Sequence, residues 1–155
     1  MLLDHAWILA HIPHQGRMCL LDRVDHWNET SLQCSAHSHR DRDNPLRAHG
    51  RLAAACGIEY AAQAMAIHGA LLAKEDAPPS RGYLTSVRSV DLQVARLDTL
   101  EADLQITAER LSGDENNVLY QFSVAAAGQL LLAGRASVVL DAGARRSVFS
   151  EIAQP

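Results

Sequence analysis

Hydrophobic positions along this chain follow two rhythms, and the change between them divides it into elements. Between residues 99 and 110 the alternation is strict. Leu100, Ala102, Leu104, Ile106 and Ala108 fall on one side; Glu101, Asp103, Gln105, Thr107 and Glu109 fall on the other. That is the period of a strand with one buried face. Val118, Tyr120, Phe122 and Val124 resume it after the turn "SGDENN" (112–117), and "AGQ" (127–129) turns the chain into a further strand over 130–140. Residues 83–94 begin this set. Upstream, residues 18–26 and 31–38 read as two strands about "WNET", the second with Leu32, Cys34 and Ala36 opposed to Ser31, Gln33 and Ser35. A short helix is expected over 4–10 and a loose tail over 142–155.

The stretch between 52 and 74 breaks the two-residue rhythm. "AACGIEYAAQAMAIHGALL" (54–72) is rich in alanine and predicts a helix that is apolar on nearly every side. The polar loop "HRDRDNPLRAHG" (39–50) precedes it. "KEDAPPSRG" (74–82) ends it, because consecutive prolines stop a helix, and Lys74 suits the negative end of the dipole. A helix that is hydrophobic all round is a buried one. Two strands, one such helix and four more strands have an economical packing: an α+β fold in which an antiparallel six-stranded sheet curls around the helix. The chain of 155 residues suits one domain, with its core over roughly 10–141.

Composition narrows the function classes. A formal net charge of −4 argues against nucleic acid or an anionic membrane as the main partner. The three cysteines, Cys19, Cys34 and Cys56, include no CxxC pair, so reduced thiols in a cytoplasmic protein are expected. The N-terminal run has no basic region of the signal-peptide kind, and no apolar stretch approaches the roughly 20 residues of a membrane span. The sequon at Asn28 carries little weight without a secretory signal. The eight histidines show no HExxH-like spacing, and His37 and His39 have no further ligands in sight, so neither metal nor cofactor is expected.

One carboxylate conflicts with the apolar helix. Glu59 has Ala55, Cys56, Ala62 and Gln63 as its neighbours three and four residues away, none of them a cation. Only Gln63 offers hydrogen bonds. Desolvation is expected to raise the pKa of such a group and make it a proton donor near neutral pH; the alternative is a rim position that reaches water. Cys56, one turn earlier, reads as a small buried hydrophobe, not a nucleophile.

Two motifs carry a family resemblance. "IPHQGRMCLLDRV" (12–24) resembles the entry segment L-P-H-R-x-P-x-L-L-V-D-R-V of the FabZ-type 3-hydroxyacyl-acyl-carrier-protein dehydratases. "GIEYAAQAMA" (57–66) resembles their central helix, in which an acid is followed four residues later by Gln, as Glu59 is by Gln63. Within that family "GIEYAAQAMAIHG" is similar to the ApeP-like subgroup of aryl polyene and related polyketide-type clusters. The resemblance covers roughly 10–140 and implies a hotdog fold. It also implies two catalytic groups on opposite sides of a tunnel between two subunits: a histidine that removes the proton alpha to a thioester carbonyl, and a helix acid that protonates the leaving 3-hydroxyl. By resemblance Glu59 is that acid. Ala54, Gly57 and Gln63 fall along the substrate, with the Ala54 N–H in the role of holding the thioester oxygen.

The expected histidine is missing. Its place, fourteen residues before the acid, is Pro45. His49 in the same loop is the tentative substitute base, since imidazole titrates near pH 6.5. His14 falls on the histidine of the entry motif and is expected to serve packing. Three functions remain open: a 3-hydroxyacyl-thioester dehydratase with an unconventional base, a non-catalytic hotdog partner of an active dehydratase, and an acyl thioesterase. The substrate would ride on acyl carrier protein or CoA. Arg81, Arg88 and Arg96 are candidate docking cations for an acidic carrier. A sheet edge left unpaired in the monomer predicts a homodimer, or a heterodimer with another hotdog subunit.

Overall fold

The alternating segments form one antiparallel sheet in the computed structural model, which describes residues 2–73, 81–114 and 116–141. The strands are β1 (Arg23–Trp27), β2 (Ser31–Ala36), β3 (Arg81–Leu92), β4 (Leu104–Gly113), β5 (Asn117–Ala126) and β6 (Gln129–Asp141). Their order in the sheet is β1-β2-β4-β5-β6-β3. A short helix α1 (His5–His11) opens the chain, and α2 (Gly57–Leu72) lies in the concave face. This is the hotdog architecture. The register matches the hydrophobic pattern: Leu32, Cys34 and Ala36 of β2 face Ala108, Ile106 and Leu104 of β4, and all six are buried.

No residue of α2 is exposed. Tyr60, Ala61, Ala64 and Ile67 are fully buried against the sheet. Ile58, Glu59, Ala62, Ala66, Gly69 and Ala70 form a half-buried stripe on another face. Gly57 permits the closest approach of helix to sheet: a Cβ there would stand 2.6 Å from Leu132 of β6.

Several boundaries differ from the sequence reading, each for a tertiary reason. The helix begins at Gly57 instead of 52, after a 3-10 turn at Ala54–Cys56. Its entry is clamped by the loop after β3: Leu52 N–H donates to Asp98, Ala54 N–H to Ala95 O, and Leu97 N–H to Leu52 O. Residues 99–103 belong to that loop, so β4 starts at Leu104. The first strand starts at Arg23, because residues 18–20 give their backbone groups to a side chain of α2. Lys74 and the tail 142–155 lie outside the described residues.

The two edges of the sheet are unlike. The outer side of β1 is covered, with Val24 N–H donating to Leu3 O at 2.9 Å. No strand covers β3 among the described residues, and it exposes Tyr83, Leu84, Val90 and Leu92.

Two histidines are buried without charge partners. Nε2–H of His68 donates to Asn28 O at 2.9 Å, so its Nδ1 accepts from Tyr120 Oη at 2.8 Å. His39 Nε2–H donates to Leu100 O at 3.0 Å, and its Nδ1 is buried without a partner. Burial pushes both imidazoles below their usual range. The unfolded chain, whose imidazoles titrate near pH 6.5, then binds more protons than the native one just below that pH. Stability is therefore expected to be full above about pH 6.5 and to fall as the pH drops below it. Urea unfolding at a series of pH values from neutral to mildly acidic checks this; a flat midpoint over that range would contradict it.

Candidate active site

Glu59 is the third residue of α2, in the first turn, where the helix dipole favours a carboxylate. Its side chain is 35 % exposed. The fold brings it the partner that its own helix lacks. His14, from the loop after α1, places Nε2 3.2 Å from Glu59 Oε1. Gln63 Nε2 lies 3.5 Å from the same oxygen. His14 Nδ1 is buried with no hydrogen-bond partner, so the imidazole is committed through Nε2 to the carboxylate.

Gln63 is fully buried and holds the pair in place. Its Nε2 donates to Met18 O at 2.6 Å, and its Oε1 accepts the Leu20 N–H at 2.9 Å. Both ends of the amide thus fasten the Met18–Leu20 segment to the helix. With its amide engaged this way, Gln63 positions other groups and is not free to bind substrate.

The hydrogen bond from His14 holds the Glu59 carboxyl below the ordinary carboxylate range, against the upward push of burial, with Gln63 helping. The sequence reading had desolvation winning and raising the pKa. The correction has a plain cause: His14 is remote along the chain, and a survey of helical neighbours does not reach it.

The other anticipated residues are placed as follows. His49 is exposed, with φ +53°, at the tip of a tight turn closed by reciprocal Ala48 and Arg51 hydrogen bonds. Among the described residues, the hydrogen-bond and ion-pair partners of Glu59 are Gln63 and His14, not His49. The Ala54 N–H is taken by Ala95 O at 3.0 Å and is not free for a thioester oxygen. Gly57 is buried against Leu132 and serves helix-to-sheet packing. Burial pushes the Cys56 thiol up, which disfavours a nucleophilic thiolate. Of the docking cations, Arg88 is exposed, the Arg81 side chain lies outside the described set, and Arg96 is bound through its guanidinium to Asp98. Arg96 holds the Asp98 carboxyl well below the usual range.

A second imidazole–carboxylate pair escaped the sequence reading. Asp22 Oδ2 accepts the backbone N–H of His37 at 2.8 Å and also bonds its Nδ1. The signal was present: Asp22 is the aspartate of the entry motif, and the hairpin register that pairs Arg23 with Ser35 sets it beside the end of β2. The pair lines a cleft of about 390 Å³ together with Cys19, Ser38, Asn44 and Pro45. Tyr60 holds one wall of that cleft: its O–H bonds Ser38 Oγ at 2.7 Å and accepts from Asn44 Nδ2 at 3.1 Å. Among the described residues no group of three or more His, Cys, Asp or Glu is arranged to hold a metal ion, and no helix is long and apolar enough to cross a membrane.

Comparison with known proteins gives one family and several solved structures of similar fold. The ApeP-like family, described as ApeP dehydratase, matches residues 7–148. The dehydratase heterocomplex ApeI:P from Xenorhabdus doucetiae contains a chain similar to this one, at 24 % identity and a TM-score of 0.80, with 95 % of this chain and 97 % of that one covered. A thioesterase family protein from Silicibacter pomeroyi aligns at 15 % identity and a TM-score of 0.62 over 88 % of this chain and 98 % of its own. A thioesterase of Pseudomonas aeruginosa aligns at 12 % identity and 0.57 over 76 % and 79 %. At such identities these likenesses speak for the fold. No curated protein matches the chain.

Proposed function

This chain belongs to the ApeP-like dehydratase family, and from that premise we propose that it is a hydro-lyase subunit that removes water from 3-hydroxyacyl thioesters to give 2-enoyl thioesters. One observation carries the reading: a buried glutamine and a histidine from a separate loop converge on Glu59, the lone carboxylate of α2.

Elimination of water requires a base for the proton alpha to the carbonyl and an acid for the 3-hydroxyl. Glu59 is ionised at rest and must first receive a proton. His14 Nε2, 3.2 Å away, is the group placed to pass it one. Glu59 then delivers it to the hydroxyl as the C–O bond breaks. The thioester carrier is acyl carrier protein or CoA, and the family setting is aryl polyene or fatty-acid type biosynthesis in the cytoplasm.

The uncovered β3 edge, with its exposed Tyr83, Leu84, Val90 and Leu92, supports assembly with a second hotdog subunit. The Xenorhabdus relative belongs to a dehydratase heterocomplex. Leu84→Asp together with Leu92→Asp is expected to shift the assembly to monomer in light scattering while circular dichroism stays native. An unchanged mass would place the interface elsewhere.

A second reading has its own support. Pro45 stands where the family has its base, and the Ala54 N–H is occupied by Ala95. Both fit a non-catalytic partner of an active dehydratase. The deciding experiment incubates the purified chain, alone and with a hotdog dehydratase subunit, with a 3-hydroxyacyl carrier thioester and follows the mass of the acyl group. Loss of one water by the chain alone supports the dehydratase. Turnover that depends wholly on the added subunit's own residues supports the partner reading. Release of free acid would make it a thioesterase.

A further inference from the structure

The two faces of the edge strand β3 differ in character. On the concave side Leu84 and Val87 pair with Val138 and Ala136 of β6, and Val90 packs at Gly134. On the convex side Arg88 stands directly opposite Arg135. We propose that Arg88 and Arg135 select the partner at this edge: they oppose a second copy of this chain and accept a hotdog subunit whose own edge strand carries a carboxylate on its convex side. The inference rests on the edge-to-edge assembly put forward above.

The spacing of the apolar groups sets the register. Leu84, Val87 and Val90 lie at every second position of β6, with Val87 midway. Two β3 strands paired antiparallel match apolar with apolar when the two-fold axis passes at Val87. Leu84 of one copy then faces Val90 of the other, and Arg88 of one faces Ser86 of the other. Within each chain the Cβ atoms of Arg88 and Arg135 are about 5 Å apart, and the two Arg88 residues become diagonal neighbours at about 7–8 Å. Four guanidinium groups gather on one patch.

No acid balances them. Arg88 and Arg135 are exposed, and neither makes an ion pair among the described residues. Gln121 flanks Arg135 on β5, and Ser86 and Ser137 form the next row. Asp91 lies in the row on the other side, where its carboxylate accepts from Gln93 Nε2 at 2.8 Å. Glu109 is on β4, beyond β5. Like charges directly opposite on neighbouring strands are destabilising, and the same juxtaposition across an interface excludes wrong partners. A carboxylate facing Arg88 reverses the sign. It adds an attraction across the edge and relieves the repulsion already present within this chain.

The test follows the purified full-length chain by sedimentation velocity over a series of salt concentrations, with circular dichroism to show that each variant is folded. Wild type is expected to self-associate weakly in low salt and more strongly as salt screens the arginines. Ser86→Glu sets a carboxylate opposite Arg88 of the other copy. It is expected to lower the dimer Kd in low salt by about tenfold or more and to reverse the salt dependence. A chain with Arg88→Glu and Arg135→Glu, mixed with wild type under a different tag, is expected to pair with wild type in preference to itself. A wild-type dimer indifferent to salt and to these substitutions overturns the inference, and its loss on Leu84→Asp with Leu92→Asp leaves the edge assembly standing. Ser86→Glu and the mixture associating no better than wild type overturns it as well. So does loss of acyl carrier protein binding on Arg88→Glu with Arg135→Glu while self-association is unchanged, which would assign the pair to the carrier. A Ser86→Glu dimer that survives Leu84→Asp with Leu92→Asp places the contact elsewhere and overturns both readings.

Discussion

Glu59→Gln is expected to lower the rate of dehydration by about 10²- to 10⁴-fold, the span that general acid–base groups contribute. The replacement is nearly isosteric and can still bond His14 and Gln63, so the constellation stays in place. What it loses is the ability to carry a proton. The loss should fall on kcat with KM little changed, because the carboxyl acts on charge that develops as the C–O bond breaks. Thermal stability should move little, since the side chain is 35 % exposed and exposed pairs with histidine contribute modestly. Stopped assays on matched amounts of folded wild type and variant check both parts. Wild-type kcat in the variant would remove Glu59 from the chemistry.

Gln63→Ala is expected to be the most damaging single truncation for stability, by about 3–5 kcal/mol. Two effects add. The buried Leu20 N–H and the part-buried Met18 carbonyl lose their partner, and a cavity opens beside the helix. Against a typical domain stability of about 5–15 kcal/mol, the variant would sit close to unfolding. Gln63→Met separates the two effects, because it restores volume and not the hydrogen bonds. It should recover part of the loss and remain about 1–3 kcal/mol below wild type. Denaturant titration of the three proteins gives the comparison. A methionine variant as stable as wild type would mean that the two backbone groups find other partners.

The parts of the fold legible in the sequence were those decided by local pattern. The buried faces of β4 and β5 follow from alternation, and the buried helix follows from its lack of a wet stripe. Boundaries failed where the backbone bonds to a remote segment. Leu52 and Ala54 look helical by composition, yet their N–H groups go to the 95–98 loop. Residues 18–20 look like strand, yet Gln63 holds them.

The site divides along the same line. Glu59 and Gln63 stand on one helix, and their four-residue spacing was enough to mark them. His14 comes from another element, so its contact with Glu59 depended on the packing of α1 and the entry loop against α2. His49 was favoured for its closeness along the chain; it sits exposed, with a left-handed backbone, in the turn between Ala48 and Arg51. His37 and Asp22 were joined by strand register.

The strand order has a kinetic consequence. β4, β5 and β6 are joined by short turns, so their hairpins close small loops and can form early. β2 reaches β4 only across α2 and β3, which is a long loop to close. Closure entropy grows with loop length, and such non-local pairings slow folding. The β1–β2 hairpin is therefore predicted to dock last, bringing with it the segment that carries His14 and Met18–Leu20. Pulse-labelled hydrogen exchange during refolding should protect amides of β5 before those of β2, and the reverse order would refute the scheme. On this route Glu59 waits in a formed helix without its imidazole, and the proton-transfer pair assembles only as the chain completes its fold.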